Sequence, residues 1–112
     1  MFIAMNRFRV LPDKASQFEA RWLDRDVYLN REPGFIAFHL LKGAVQDDHI
    51  LYSSHTAWSD KAAFEDWTRS DSFRMAHRSA GQAEPLTLGH PQFEGFDVLQ
   101  EILPAGSTSQ LS

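Results

Sequence analysis

The first ten residues, MFIAMNRFRV, alternate strictly, with Phe2, Ala4, Asn6, Phe8 and Val10 on one side and Ile3, Met5, Arg7 and Arg9 on the other. Period-two alternation is the pattern of a strand. This strand carries apolar residues on both sides at its start, so both faces of the sheet it joins need cover. Asn6 is the exception on its row, a carboxamide among four apolar residues. Left unpaired in a core it costs about 1–3 kcal/mol. Either neighbouring backbone satisfies it, or it faces a site that uses a neutral donor.

The following segments define what covers the strand. Leu11, Pro12 and Asp13 form a turn and cap, and the spacing then predicts a helix over Lys14–Val27 with Ala15, Phe18, Trp22 and Leu23 on its apolar stripe. Arg21 and Arg25 lie four apart on one side of this helix. They belong to a solvated face with Glu19 and Asp24, or one of them meets a ligand carboxylate. The turn REPG at 31–34 leads into a strand over 35–42 that is apolar on both faces, a polar turn over 43–48, and a returning strand over 49–58.

The stretch Ser59–Gly81, SDKAAFEDWTRSDSFRMAHRSAG, contains two helix starts. Ser59 or Asp60 caps a helix over Lys61–Arg69, and Ser70 caps a second over Ser72–Arg78. Ala63, Phe64 and Trp67 share the apolar stripe of the first, and Phe73, Ala76, His77 and Ala80 that of the second. His77 is thus an imidazole on an apolar face. It hydrogen-bonds a backbone carbonyl there, or it holds heme iron, for which one protein nitrogen suffices. Trp67 is likewise either a core residue or the wall of a pocket.

Residues 81–91 carry Gly and Pro without periodicity and read as a mobile loop; residues 93–103 alternate as a last strand; the small polar tail 104–112 is expected to be disordered. Strand, helix, strand, strand, helix, strand is the α+β, ferredoxin-like (split βαβ) plan, an antiparallel sheet with helices on one face. The uncovered face holds Ile3, Met5 and half of the 35–42 strand, so a dimer packing two sheets into an α+β barrel is expected.

The length of 112 residues suits one domain, placed at residues 1–103. A net charge of −4 without long like-charge runs argues against nucleic acid or an anionic membrane as partner. The absence of cysteine excludes disulfides, thiolate ligation and a thiol nucleophile. No segment has membrane-spanning length, and a cytoplasmic protein is expected.

Three motifs, MNRF at Met5–Phe8, EPGF at Glu32–Phe35 and AFEDWTRSDSFRMAH at Ala63–His77, resemble the antibiotic biosynthesis monooxygenase (ABM) superfamily. Within it they are similar to the IsdG-type heme-degrading monooxygenases, including the rhizobial biliverdin-forming members. The resemblance spans residues 1–103 and implies a trio of Asn6, Trp67 and His77. His77 is then the axial iron ligand, Asn6 the hydrogen-bond donor toward dioxygen, and Trp67 the wall that presses the porphyrin out of plane. Trp22, Arg25 and Phe73 complete the expected heme contacts. Heme serves as cofactor and substrate, dioxygen and an external electron donor or reductase are needed, and iron and a biliverdin-like product leave. The competing expectations are a cofactor-independent ABM monooxygenase acting on a small aromatic substrate, with His77 as acid or base, and a non-catalytic heme-binding module.

Overall fold

The computed structural model of the chain describes residues 1–24, 29–71, 73–74 and 86–106. Its elements run β1 (Phe2–Val10), a 3₁₀ turn (Pro12–Lys14), α1 (Ala15–Asp24), β2 (Phe35–Val45), β3 (Ile50–Trp58), α2 (Lys61–Thr68) and β4 (Gln92–Asp97). The four strands form one antiparallel sheet in the order β2-β3-β1-β4, and both helices lie on the same face, as the ferredoxin-like plan requires.

The alternation of β1 is realised residue by residue. Phe2, Ala4 and Val10 are buried under the helices, Asn6 and Phe8 are half-buried, and Arg7 and Arg9 are exposed on the far side. Pairing of Phe2 with Trp58 and of Val10 with Ile50 carries the same division of faces into β3. Apolar residues on the helix side therefore sit directly opposite one another, the arrangement that stabilises a sheet most.

Two apolar clusters share this face. One gathers Phe2, Ala4, Leu29, Trp58 and Trp67, with Phe35, Phe38, Phe64 and Phe73 packed against it beneath α2. The other gathers Val10, Phe18, Ile50, Tyr52 and Leu86, with Phe8, Trp22 and Leu40 beneath α1. α1 is also tied down by a polar bond: the Tyr52 hydroxyl donates to the Glu19 carboxylate, whose other neighbour is Lys42 Nζ at 3.5 Å. Burial and this bond push the Tyr52 phenol up to about 12. The same bond from Tyr52, followed by the Lys42 ammonium, holds the Glu19 carboxyl below its ordinary value.

α2 begins where its cap permits. Asp60 is extended, and its carboxylate accepts from the Ala63 N–H at 2.8 Å. The preceding turn relies on Gly34, at φ 82°, whose Cβ would lie 2.5 Å from that of Ala63. Only glycine lets the 29–35 turn approach the start of α2 so closely. Beyond α2, Ser70 starts a new helical turn at Asp71, accepting the Phe73 N–H on its Oγ at 3.1 Å. The second predicted helix otherwise lies outside the described residues.

Several expected boundaries are corrected. α1 runs up to Asp24, the rest of the expected helix to Val27 lies outside the described residues, and Leu23 is 81% exposed rather than part of the stripe, because the adjacent Trp22 already faces the sheet. β2 continues through Gly43 and Ala44 to Val45, which pairs with Ile50 after a bulge, leaving a shorter turn. β2 is also less buried than its composition predicts, with Ile36 48% and Leu41 41% exposed.

The end of the 81–91 loop is anchored rather than free: Leu86 is 3% exposed, its carbonyl accepts the Leu11 N–H at 2.9 Å, and Thr87 bridges Val10. β4 stops at Asp97, not Leu103, because its partner β1 starts at Phe2. Val98 makes one last bond to the Met1 carbonyl, and Leu99 and Ile102 beyond it are 95% and 80% exposed. Of the tail, residues 104–106 are described and 107–112 are not.

Candidate functional site

Asn6 lies on the row between the two clusters. Across the sheet that row reads Leu40, Ser54, Asn6 and Phe93 on the helix side, flanked by the Ala4–Thr56 row of one cluster and the Phe8–Tyr52 row of the other. The Asn6 carboxamide has no hydrogen-bond partner among the described residues, so neighbouring backbone does not satisfy it there. A half-buried amide beside aromatic clusters, with donor and acceptor both unused, suits a small polar group brought by a ligand.

Trp67 is 9% exposed, with ring centroids 5.5 Å from Trp58 and 4.8 Å from Phe73, the latter edge-on. From α2 it joins the cluster of Phe2 and Ala4, and Ala4 lies one row from Asn6. Phe73 is half-buried and packs on the same cluster. Trp22 comes from the other side: its ring stacks on Phe38 at 5.9 Å and meets Phe8 edge-on at 5.7 Å, so this pair spans the division between the clusters. Asn6, Trp67, Phe73 and Trp22 thus all belong to the helix side of the sheet, around one polar seam. His77 and Arg25 lie outside the described residues.

Sequence reasoning missed Ser54. It is 7% exposed and paired in register with Asn6, the nearest cross-strand neighbour on the same face. The signal was available, because YSSHTAW places a small hydroxyl on the same row of β3 as Tyr52, Thr56 and Trp58, a polar exception of the kind that singled out Asn6.

The far face of the sheet differs in character. Arg7, Arg9, His49, His90 and Gln92 line a cavity of about 530 Å³ there, in which Arg7 pairs with Glu94 at 3.6 Å and His49 with Asp48 at 2.7 Å. The Asp48 carboxyl is held below its ordinary value chiefly by that bond from His49. With its charges largely matched internally and no aromatic wall, this cavity is a poor host for a flat apolar ligand. Among the described residues, no three His, Asp or Glu side chains gather as ligands for a metal ion, and no helix is long and apolar enough to cross a membrane.

Comparison with known proteins agrees with the fold. The heme-degrading monooxygenase of Shouchella clausii is 26% identical over 98 residues, covering 88% of this chain and 90% of its own. The mycobilin-producing heme oxygenase of Mycobacterium tuberculosis is 23% identical over 107 residues, covering 96% and 97%. The structure of the heme-degrader MhuD from that organism, with two hemes in its active site, superposes with a TM-score of 0.70 at 24% identity over 91% of this chain and 99% of that one. SnoaB, a cofactor-independent oxygenase from Streptomyces nogalater, superposes with a TM-score of 0.66 at 26% identity, covering 90% and 95%. Residues 1–79 match the antibiotic biosynthesis monooxygenase family, and the chain belongs to it.

Proposed function

We propose that the protein is a heme-degrading monooxygenase, which binds heme as cofactor and substrate, opens the porphyrin with dioxygen and electrons from an external donor, and releases iron with a biliverdin-like linear tetrapyrrole. The observation that carries this reading is the unpaired Asn6 carboxamide on the seam between two aromatic clusters. An apolar macrocycle fits the Trp22, Phe38, Trp67 and Phe73 rings that flank the seam, and the amide fits a small polar ligand at the macrocycle's centre. Support also comes from the relatives named for heme degradation.

In this reading bound heme supplies the iron at which dioxygen is reduced. The protein's part is placement. His77 would supply the nitrogen that holds the iron, and Arg25 a charge for a propionate. Asn6 would donate from its carboxamide nitrogen and orient the small ligand, and Trp67 would press on the macrocycle as one wall of its pocket. Apoprotein titrated with hemin is expected to give a shifted Soret band saturating at one heme per chain, and ascorbate with catalase present then replaces that band with bilin absorption. A stable, undegraded complex would point to a binding module instead. No uptake at all would favour a cofactor-independent oxygenase, the reading that the likeness to SnoaB supports, with His77 as acid or base.

The homodimer belongs to the same proposal. Ile3 and Met5 on the far face, Leu41 at 41% and Phe96 at 47% exposure leave an apolar surface that a second copy would cover. Light scattering at micromolar concentration is expected to give twice the chain mass, and a monomer would overturn the dimer.

A further inference from the structure

Three side chains of β3 bring hydroxyls to the helix face: Tyr52, Ser54 and Thr56. Two are committed to the fold. The Tyr52 hydroxyl donates to Glu19, and Thr56 Oγ1 donates to the Ala4 carbonyl at 3.2 Å. Ser54 lies between them at 7% exposure, and its hydroxyl has no hydrogen-bond partner among the described residues. Its backbone carbonyl, by contrast, accepts from Ser53 Oγ at 3.3 Å. The hydroxyl is not among the fully buried polar atoms that lack a partner, so it stays reachable by a small ligand, and the fold does not depend on it at this position.

The neighbour of Ser54 explains what the hydroxyl is for. Ser54 and Asn6 are paired directly across β3 and β1, where facing Cβ atoms stand about 4.5–5.5 Å apart. Both side chains are short, both carry unused donors, and both point to the helix side at the row where the two clusters divide. Two neutral donors paired in register can both reach one small ligand held over their row, with an aromatic cluster on either side.

We propose that Ser54 is a second donor to the small oxygen-containing ligand that Asn6 serves. This rests on the heme reading above and extends it from a single donor to a two-point contact. Its effect is on orientation: one donor leaves a diatomic ligand free to swing about the hydrogen bond, and two restrict that motion.

The test has one readout in the apoprotein and one in the heme complex. In the apoprotein, Ser54→Ala removes a hydroxyl that holds no part of the fold, so the melting temperature is expected to stay within about 2 °C of wild type. Thr56→Ala, which removes a hydroxyl that holds backbone, should lower it. In the hemin-loaded, reduced protein under carbon monoxide, Ser54→Ala is expected to shift the C–O stretch upward in the infrared, in the same direction as Asn6→Ala. Thr56→Ala should leave the stretch where it is. If Ser54→Ala binds hemin like wild type and the C–O stretch does not move, or if its apoprotein melts below that range, Ser54 is a structural residue and the proposal falls. If wild-type protein takes up no hemin, the heme reading itself fails, a result distinct from an unmoved stretch in a loaded variant.

Discussion

Asn6→Ala is expected to bind hemin within about threefold of wild type and to lose about 100-fold or more in ascorbate-driven turnover, the range seen when one donor to a developing charge is removed. The amide is half-buried and unpaired, so its loss leaves no other group unsatisfied and should not destabilise the apoprotein. A donor used mainly after dioxygen arrives contributes to the reaction rather than to ground-state affinity. His77→Ala should behave in the opposite way, losing the shifted Soret band along with turnover, while replacement of His39, His49, His55 or His90 leaves the band in place. Hemin titration and Soret decay on each variant check both. Wild-type turnover in Asn6→Ala would return that residue to the status of an ill-satisfied core amide, and a lost Soret shift in His55→Ala would move the iron ligand to the far face of the sheet.

The second large effect is on stability. Trp67→Ala removes the indole from the α2 cluster it shares with Phe2, Ala4, Leu29 and Trp58, and is expected to cost about 3–5 kcal/mol. For a domain whose whole stability is of the order of 5–15 kcal/mol, the variant should melt at least 15 °C or so below wild type. Trp67→Phe keeps a ring against Trp58 and Phe73 and should remain folded, which makes it the variant for asking what the indole does to a ligand. It is expected to bind hemin at least as tightly as wild type and to degrade it more slowly, since relieved steric pressure favours the flat ground state. Urea unfolding of the apoproteins and resonance Raman spectra of the hemin complexes check the two halves. A fully stable Trp67→Ala would show that the indole belongs to a pocket wall and not to the core.

The parts of this fold that could be read from the chain are those where one rule acts alone. Strict alternation sorted the faces of β1, and Asp60 and Ser70 announced helix starts that they indeed cap. Where the partner decides, the pattern misleads. Alternation continues to Leu103, yet β4 ends at Asp97, where its ladder with β1 closes at the Phe2–Asp97 pair and a last bond from Val98 to the Met1 carbonyl. Leu86 has no periodic neighbours to mark it as core; its burial follows from the bridge between Val10 and Thr87. Trp22 and Leu23 are equally apolar, but a helix can turn only one of two adjacent residues to the sheet. At the site, Asn6 stood out as one amide in an apolar row, whereas Ser54, small and set between other hydroxyl-bearing residues, did not. Why its hydroxyl matters appears only once Tyr52 and Thr56 are seen to be already engaged.

A core divided along one row also changes how the molecule can breathe. The α1 and α2 clusters each keep their own contacts with the sheet, so the two helices can separate slightly along the Asn6–Ser54 row while the clusters beneath them stay intact. The stacked Trp22–Phe38 pair spans that line like a latch. Sliding those two rings apart costs one aromatic contact, which a flat aromatic ligand, on the heme reading, would restore with its own π surface. On the heme reading, entry along this row would call for a local opening rather than partial unfolding, because the four-stranded sheet holds both clusters from below.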